Sequence, residues 1–182
     1  MKKEILLNSG ILNNVILKEL TYFKEEYQIE EHLLIHSLIN ENLNNKEAES
    51  IYKKGLNPPY GFDYIKSSLE LINKDKSGRW TYYAGKNWKQ FNYKKGMNSL
   101  LEKDKTGDWT YFSGISWPKG KFDFNKGKKH LLEIDTKGVW LYSAGLNWNK
   151  INHIEVLNRL KTISKKYYTK AKESWPISRR EE

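Results

Sequence analysis

Apolar residues recur at different spacings in three stretches of the chain. Tyr27, Ile29, Leu33, Leu34, Leu38, Ile39 and Leu43 fall largely three and four residues apart, which predicts an amphipathic helix over residues 27–44. Lys46 to Lys54 predicts a second, short helix closed by Gly55, and Asn57-Pro58-Pro59-Tyr60-Gly61 then forms a hinge. At the far end, Ile154, Leu157, Leu160 and Ile163 share one side, while Lys161, Lys165, Lys166, Lys170 and Lys172 line the rest. That is a basic amphipathic helix from about residue 154 to 174, with a frayed tail carrying Arg179 and Arg180.

Between these ends a phrase recurs. Gly78-Arg79-Trp80-Thr81-Tyr82-Tyr83-Ala84-Gly85-Lys86-Asn87-Trp88 returns as Gly107 to Trp117 and as Gly138 to Trp148, following G-x-W-x-Y-x-x-G-x-x-W. Trp80 and Trp109 are 29 residues apart, Trp109 and Trp140 are 31, and six of the seven tryptophans occupy these slots. Each copy follows an apolar run (Leu69 to Ile72, Leu100 to Lys103, Leu131 to Ile134) and an Asp-x-x-Gly turn at Asp75, Asp104 or Asp135. An apolar run, a turn and an aromatic run predict a β-hairpin, with Trp and Tyr two apart on one face and the next glycine ending the strand. A further aromatic strand is expected at Phe62-Asp63-Tyr64, Phe91-Asn92-Tyr93 and Phe122-Asp123-Phe124.

The resulting expectation is an α+β protein with N-terminal helices over 1–56, three antiparallel β units of about 30 residues over 57–153, and a basic helix and tail over 154–182. The core phrase resembles tandem bacterial repeats of the MORN-variant type, whose units are shorter. The second Trp is additional here, and no residue role is carried over. Asn57-Pro58-Pro59-Tyr60 is similar to the tetrapeptide with which adenine amino-methyltransferases hold the target amine. The segment before it is short and charged and no glycine-rich loop opens a helix, so it reads as a rigid linker.

Composition narrows the function. With 182 residues, 38% hydrophobic, the chain can bury a core, and it amounts to one ordinary domain or one with a small appendage. It has no cysteine, which excludes disulfides, a thiol nucleophile, Cys-ligated zinc and iron–sulfur clusters. The apolar stretch within Met1–Leu20 is broken by Asn8, Ser9, Gly10, Asn13 and Asn14 and lacks a small-residue cleavage site. It reads as core-facing, and the protein as intracellular, cytoplasmic and outside the membrane.

The net charge is +10, with −2 over residues 1–56, +8 over 57–154 and +4 over 155–182. Lysine supplies 28 of the 32 basic groups. It grips phosphate as a point charge, and an A·T-rich coding bias would give the same balance. A helix-turn-helix about Asn44-Asn45 is disfavoured because Glu30, Glu31, Glu41, Glu47 and Glu49 would face phosphates. Metal and cofactor sites are not implied, since His32 and His36 share a helix face but lack a third ligand.

The first expectation is therefore a non-catalytic binding protein, using the aromatic β surface and the basic helix to hold a protein partner, for example an acidic one. The candidate binding residues are Trp88, Trp117, Trp148, Lys86, Lys119, Lys121, Lys150, Lys165 and Lys166. The alternative is a nucleic-acid binder that grips phosphates with these lysines and stacks bases on Trp and Tyr. A second alternative is a small enzyme acting on a phosphorylated or nucleic-acid substrate with His130 or His153.

Overall fold

The computed structural model describes residues 45–148 and 150–175. The helix over 27–44, the His32/His36 pair, the N-terminal apolar stretch and the tail arginines lie outside the described residues. The described residues form nine helices and no strand: α1 (Lys46–Leu56), α2 (Tyr64–Lys74), α3 (Arg79–Asn87), α4 (Tyr93–Lys103), α5 (Asp108–Ser116), α6 (Phe124–Ile134), α7 (Val139–Asn147), α8 (His153–Ile163) and α9 (Lys165–Ser174).

Local chemistry starts and stops these helices. α2, α4, α6 and α8 are each 11 residues long and begin at a side-chain cap. Asp63, Asn92, Asp123 and Asn152 accept from the main-chain N–H groups of Lys66, Lys95, Lys126 and Glu155. α3, α5 and α7 are each nine residues long and begin at Gly78, Gly107 and Gly138, all at positive φ. The glycines have no side chain with which to cap, and Asp75, Asp104 and Asp135 take over that task.

Asp104 shows how. It is the C-cap of α4, and its Oδ1 accepts from Thr106 N at 3.1 Å and Gly107 N at 2.8 Å. Its Oδ2 accepts from Thr110 N, inside the first turn of α5, at 2.7 Å. One buried aspartate thereby ends one helix with its main-chain N–H, donated to Leu100 O, and starts the next with its carboxylate, satisfying N–H groups that would otherwise be orphaned. Asp75 bonds Ser77, Gly78 and Thr81, and Asp135 bonds Lys137, Gly138 and Leu141, in the same way. We call these connections joints.

Packing follows from the joints. α3 lies against α5, α5 against α7 and α7 against α9, while α2, α4, α6 and α8 each pack on the helix that follows them. The aromatic core runs between α3, α5 and α7. Tyr82 meets Trp109 at 5.6 Å, and Tyr111 meets Trp140 at 5.5 Å, centroid to centroid.

Among the described residues the antiparallel sheet and its β repeat units do not exist, so the α+β expectation is replaced there by an all-α bundle. The Trp-x-Tyr alternation arises because α3 is enclosed on several sides: Arg79, Trp80, Thr81, Tyr82, Ala84 and Gly85 are all buried. The Asp-x-x-Gly phrase is a joint between helices rather than a hairpin turn. The hairpins expected from the apolar run, turn and aromatic run fall with the sheet.

The basic C-terminal helix is two helices, broken at Ser164, which has φ −155° and ψ 99°. α8 packs through Val156 and Leu160 and α9 through Tyr167 and Ala171, while Ile154 is exposed. Gly55 lies inside α1 rather than closing it. Asn57-Pro58-Pro59-Tyr60 is a surface turn, in which Phe62 N donates to Pro59 O at 3.1 Å and the Tyr60 side chain is fully exposed, so it makes no cradle for a base.

Candidate functional site

The tryptophans come first because they decide what the surface can offer. Each indole that ends an aromatic helix lies across a glycine of the preceding one: Trp88 on Gly55, Trp117 on Gly85, Trp148 on Gly114 and Trp175 on Gly145. A Cβ on those glycines would stand 2.2, 2.5, 2.4 and 2.0 Å from the nearest indole atom. The N–H groups of Trp88, Trp117 and Trp148 donate to the carbonyls of Tyr52, Tyr82 and Tyr111 at 3.3, 3.0 and 3.3 Å. All seven tryptophans are buried.

Trp88, Trp117 and Trp148 therefore present no face to a ligand. The aromatic β surface expected to receive a protein partner is absent, because its aromatic residues form the interior of a helical bundle.

The lysines of the candidate set divide between two edges. Lys86 lies on α3, half-buried, with Nζ 6.0 Å from the Tyr82 ring. Lys119 and Lys121 are exposed in the loop before α6, and Lys150 is exposed in the loop before α8. Lys165 and Lys166 are exposed at the start of α9, on the edge formed by the joints, where Gly138 approaches Ser164.

The loop edge also gathers residues that the sequence did not point to. Asn92 and Asp123 begin α4 and α6, and Lys94, Lys95 and Lys126 sit exposed in the first turns. The two helix starts adjoin, since Lys126 Nζ lies 3.4 Å from Asn98 Oδ1 and Lys121 Nζ lies 5.6 Å from the Tyr93 ring. Beneath them Phe91, Trp117 and Phe122 form a common floor, with ring separations of 5.9 and 6.1 Å. Reading Phe91-Asn92-Tyr93 as a strand hid this cluster. The signal that locates it is the cap, Asn or Asp, with lysine three residues on.

The acids are disposed differently from the lysines. Residues 45–175 hold 26 Lys+Arg and 13 Asp+Glu. Asp75, Asp104, Asp108 and Asp135 are buried, and Arg79 is the one buried cation of that stretch. Burial pushes the Asp135 carboxyl above its ordinary value, against the pull of main-chain N–H groups from Leu141, Gly138, Lys137 and Trp140. At the surface, the hydrogen bond from Lys74 holds the Glu47 carboxyl below the usual range and raises Lys74 in return.

The histidines serve the framework. His130 is buried with Nε2 3.0 Å from Asp104 O at a joint, and His153 Nε2 lies 2.9 Å from Gly145 O near the end of α7. They are not brought to a shared site. The described residues contain no group of three His, Cys, Asp or Glu side chains placed to hold a metal ion. No helix among them is long and apolar enough to cross a membrane.

Comparison with protein-family models, with curated proteins and with solved structures finds no match.

Proposed function

We propose that this helical bundle binds nucleic acid through the phosphate backbone, with lysine as the gripping group. One observation carries the reading. The fold withdraws four carboxylates from the surface, each of them accepting from main-chain N–H groups, while every lysine among the described residues remains at least partly exposed. The outer surface therefore presents lysines in large excess over carboxylates, and such a surface attracts a polyanion.

Base stacking on tryptophan is no part of this proposal, because the indoles are interior. Lysine supplies point charges rather than the planar forks that read base edges, so binding is independent of sequence. A nucleic-acid ligand also fits a cytoplasmic protein.

The test is fluorescence anisotropy of the full chain with short random oligonucleotides across a salt series. Binding should fall by about 10³-fold or more between about 50 and 200 mM salt, as expected when six or more phosphates are neutralised. Absence of binding at the low-salt end would overturn the proposal.

A further inference from the structure

We propose that the phosphate-gripping site is the loop edge, formed by Lys89, Lys94, Lys95, Lys119, Lys121 and Lys126, and that its ligand is a nucleic-acid duplex rather than a single strand. This rests on the nucleic-acid reading above and assigns that reading a place and a substrate class.

The choice of edge follows from the local charge balance. At the loop edge six exposed lysines come from two adjoining loops and the first turns of α4 and α6. The acid among them is Asp123, whose Oδ1 already accepts from Asn125 N and Lys126 N, each at 3.1 Å. The N-termini of α4 and α6 add positive potential of the same sign. At the joint edge the balance is poorer. Lys165 and Lys166 stand there beside Lys76, Lys105 and Lys137, but each of these last three lies within two residues of a buried carboxylate, and Glu102 and Glu133 are exposed nearby. The loop edge therefore concentrates the field, and the joint edge offsets it.

The class of ligand follows from what the edge lacks. Proteins that hold single strands stack bases on accessible aromatic faces. Here Trp117, Phe91 and Phe122 are buried beneath the lysines. Tyr93, at the surface of that floor, is approached by Lys121 and has its hydroxyl tied to Gly85 O at 2.9 Å. What remains is a set of point charges. A duplex presents one phosphate charge per about 1.7 Å of axis against one per about 3.4 Å on each strand, so it offers the same patch about twice the charge. Lys121 and Lys126 reach side chains of α4, so lysines of neighbouring elements come close enough to share a stretch of duplex.

The experiment compares three full-length proteins: the wild type, the loop-edge variant Lys94→Gln/Lys95→Gln/Lys121→Gln/Lys126→Gln, and the joint-edge variant Lys76→Gln/Lys105→Gln/Lys137→Gln. All seven side chains are exposed, and a thermal melt of each confirms that the fold is kept. Each is titrated by anisotropy with a short random-sequence DNA duplex and with one of its strands.

The wild type is expected to bind the duplex more tightly than the strand. The loop-edge variant should bind the duplex at least about tenfold more weakly, with a salt slope lower by about 3 to 4, and the joint-edge variant should stay within about threefold of wild type. Equal losses in the two variants, or none in the loop-edge variant, would overturn the site while leaving the nucleic-acid reading in place. Tighter binding to the single strand would overturn the substrate class. Failure of the wild type to bind either probe would remove the reading and the site together.

Discussion

The indole of Trp117 lies directly against Gly85, with its N–H donating to Tyr82 O at 3.0 Å. The contact joins residues 32 positions apart in sequence and places a tryptophan where no side chain can stand. Gly85→Ala should raise helix propensity by about 1 kcal/mol, but its methyl would meet the indole at 2.5 Å. Overpacking outweighs propensity here, and a net loss of about 1–3 kcal/mol is expected in urea unfolding. A midpoint equal to or above wild type would show that the indole yields.

The joints predict a graded response to substitution. Asp104→Ala removes the acceptor for Thr106 N, Gly107 N and Thr110 N and leaves buried donors unpaired. A loss of about 3 kcal/mol is expected, and Asp104→Asn should fall between that variant and wild type because its amide oxygen keeps one acceptor in place. Denaturant melts of the pair decide the point. Equal stability of the Ala and Asn variants would mean that the charge, rather than the acceptor, holds the joint.

Asp135 gives the stability a pH dependence of definite sign. Burial raises its folded-state pKa above the ordinary 3.8, so the folded protein holds this proton to higher pH than the unfolded chain does. Its contribution is full below 3.8 and declines as pH rises through the raised folded value. The stability difference between wild type and Asp135→Asn should therefore shrink as pH rises from about 4 and then level off. Urea melts of both proteins over that range check it. A difference that grows with pH would mean that the main-chain N–H groups win over burial.

Tryptophan emission separates phosphate gripping from base stacking. With all seven indoles buried, emission should be blue-shifted in the free protein and should change little on titration with oligonucleotide. Strong quenching at saturation would require an indole to leave its glycine and meet a base.

Part of this architecture was legible in the sequence, and the reason for the rest is physical. The recurring phrase, its glycines and its Asp-x-x-Gly segments all mark real structural features, but they were assigned to strands. Trp80, Ala84 and Trp88 stand four residues apart, which is a helical spacing. It is obscured because Thr81, Tyr82 and Gly85 are buried as well, so burial extends well beyond that stripe. Gly85 and Gly114 looked like strand ends, whereas their lack of a side chain admits an indole that arrives from a later helix, a pairing local pattern cannot reveal. Of the proposed loop-edge lysines, Lys119 and Lys121 are candidates from charge alone, whereas Lys94, Lys95 and Lys126 come into view only once Asn92 and Asp123 are seen as helix caps.

The equal lengths of the helices place all variation in spacing at one edge. From Asp63 to Asp75, Asn92 to Asp104 and Asp123 to Asp135 the interval is constant, as is that from Trp80 to Trp88 and from Trp109 to Trp117. The two residues that separate the longer interval from the shorter are taken up between Trp117 and Phe122, where Pro118-Lys119-Gly120-Lys121 replaces the shorter Lys89-Gln90. Gly120 stands there at φ 78° with open space around it. Insertions at this rim leave every glycine–indole lock in register, so the protein can lengthen and recharge its outer loops without renegotiating its interior.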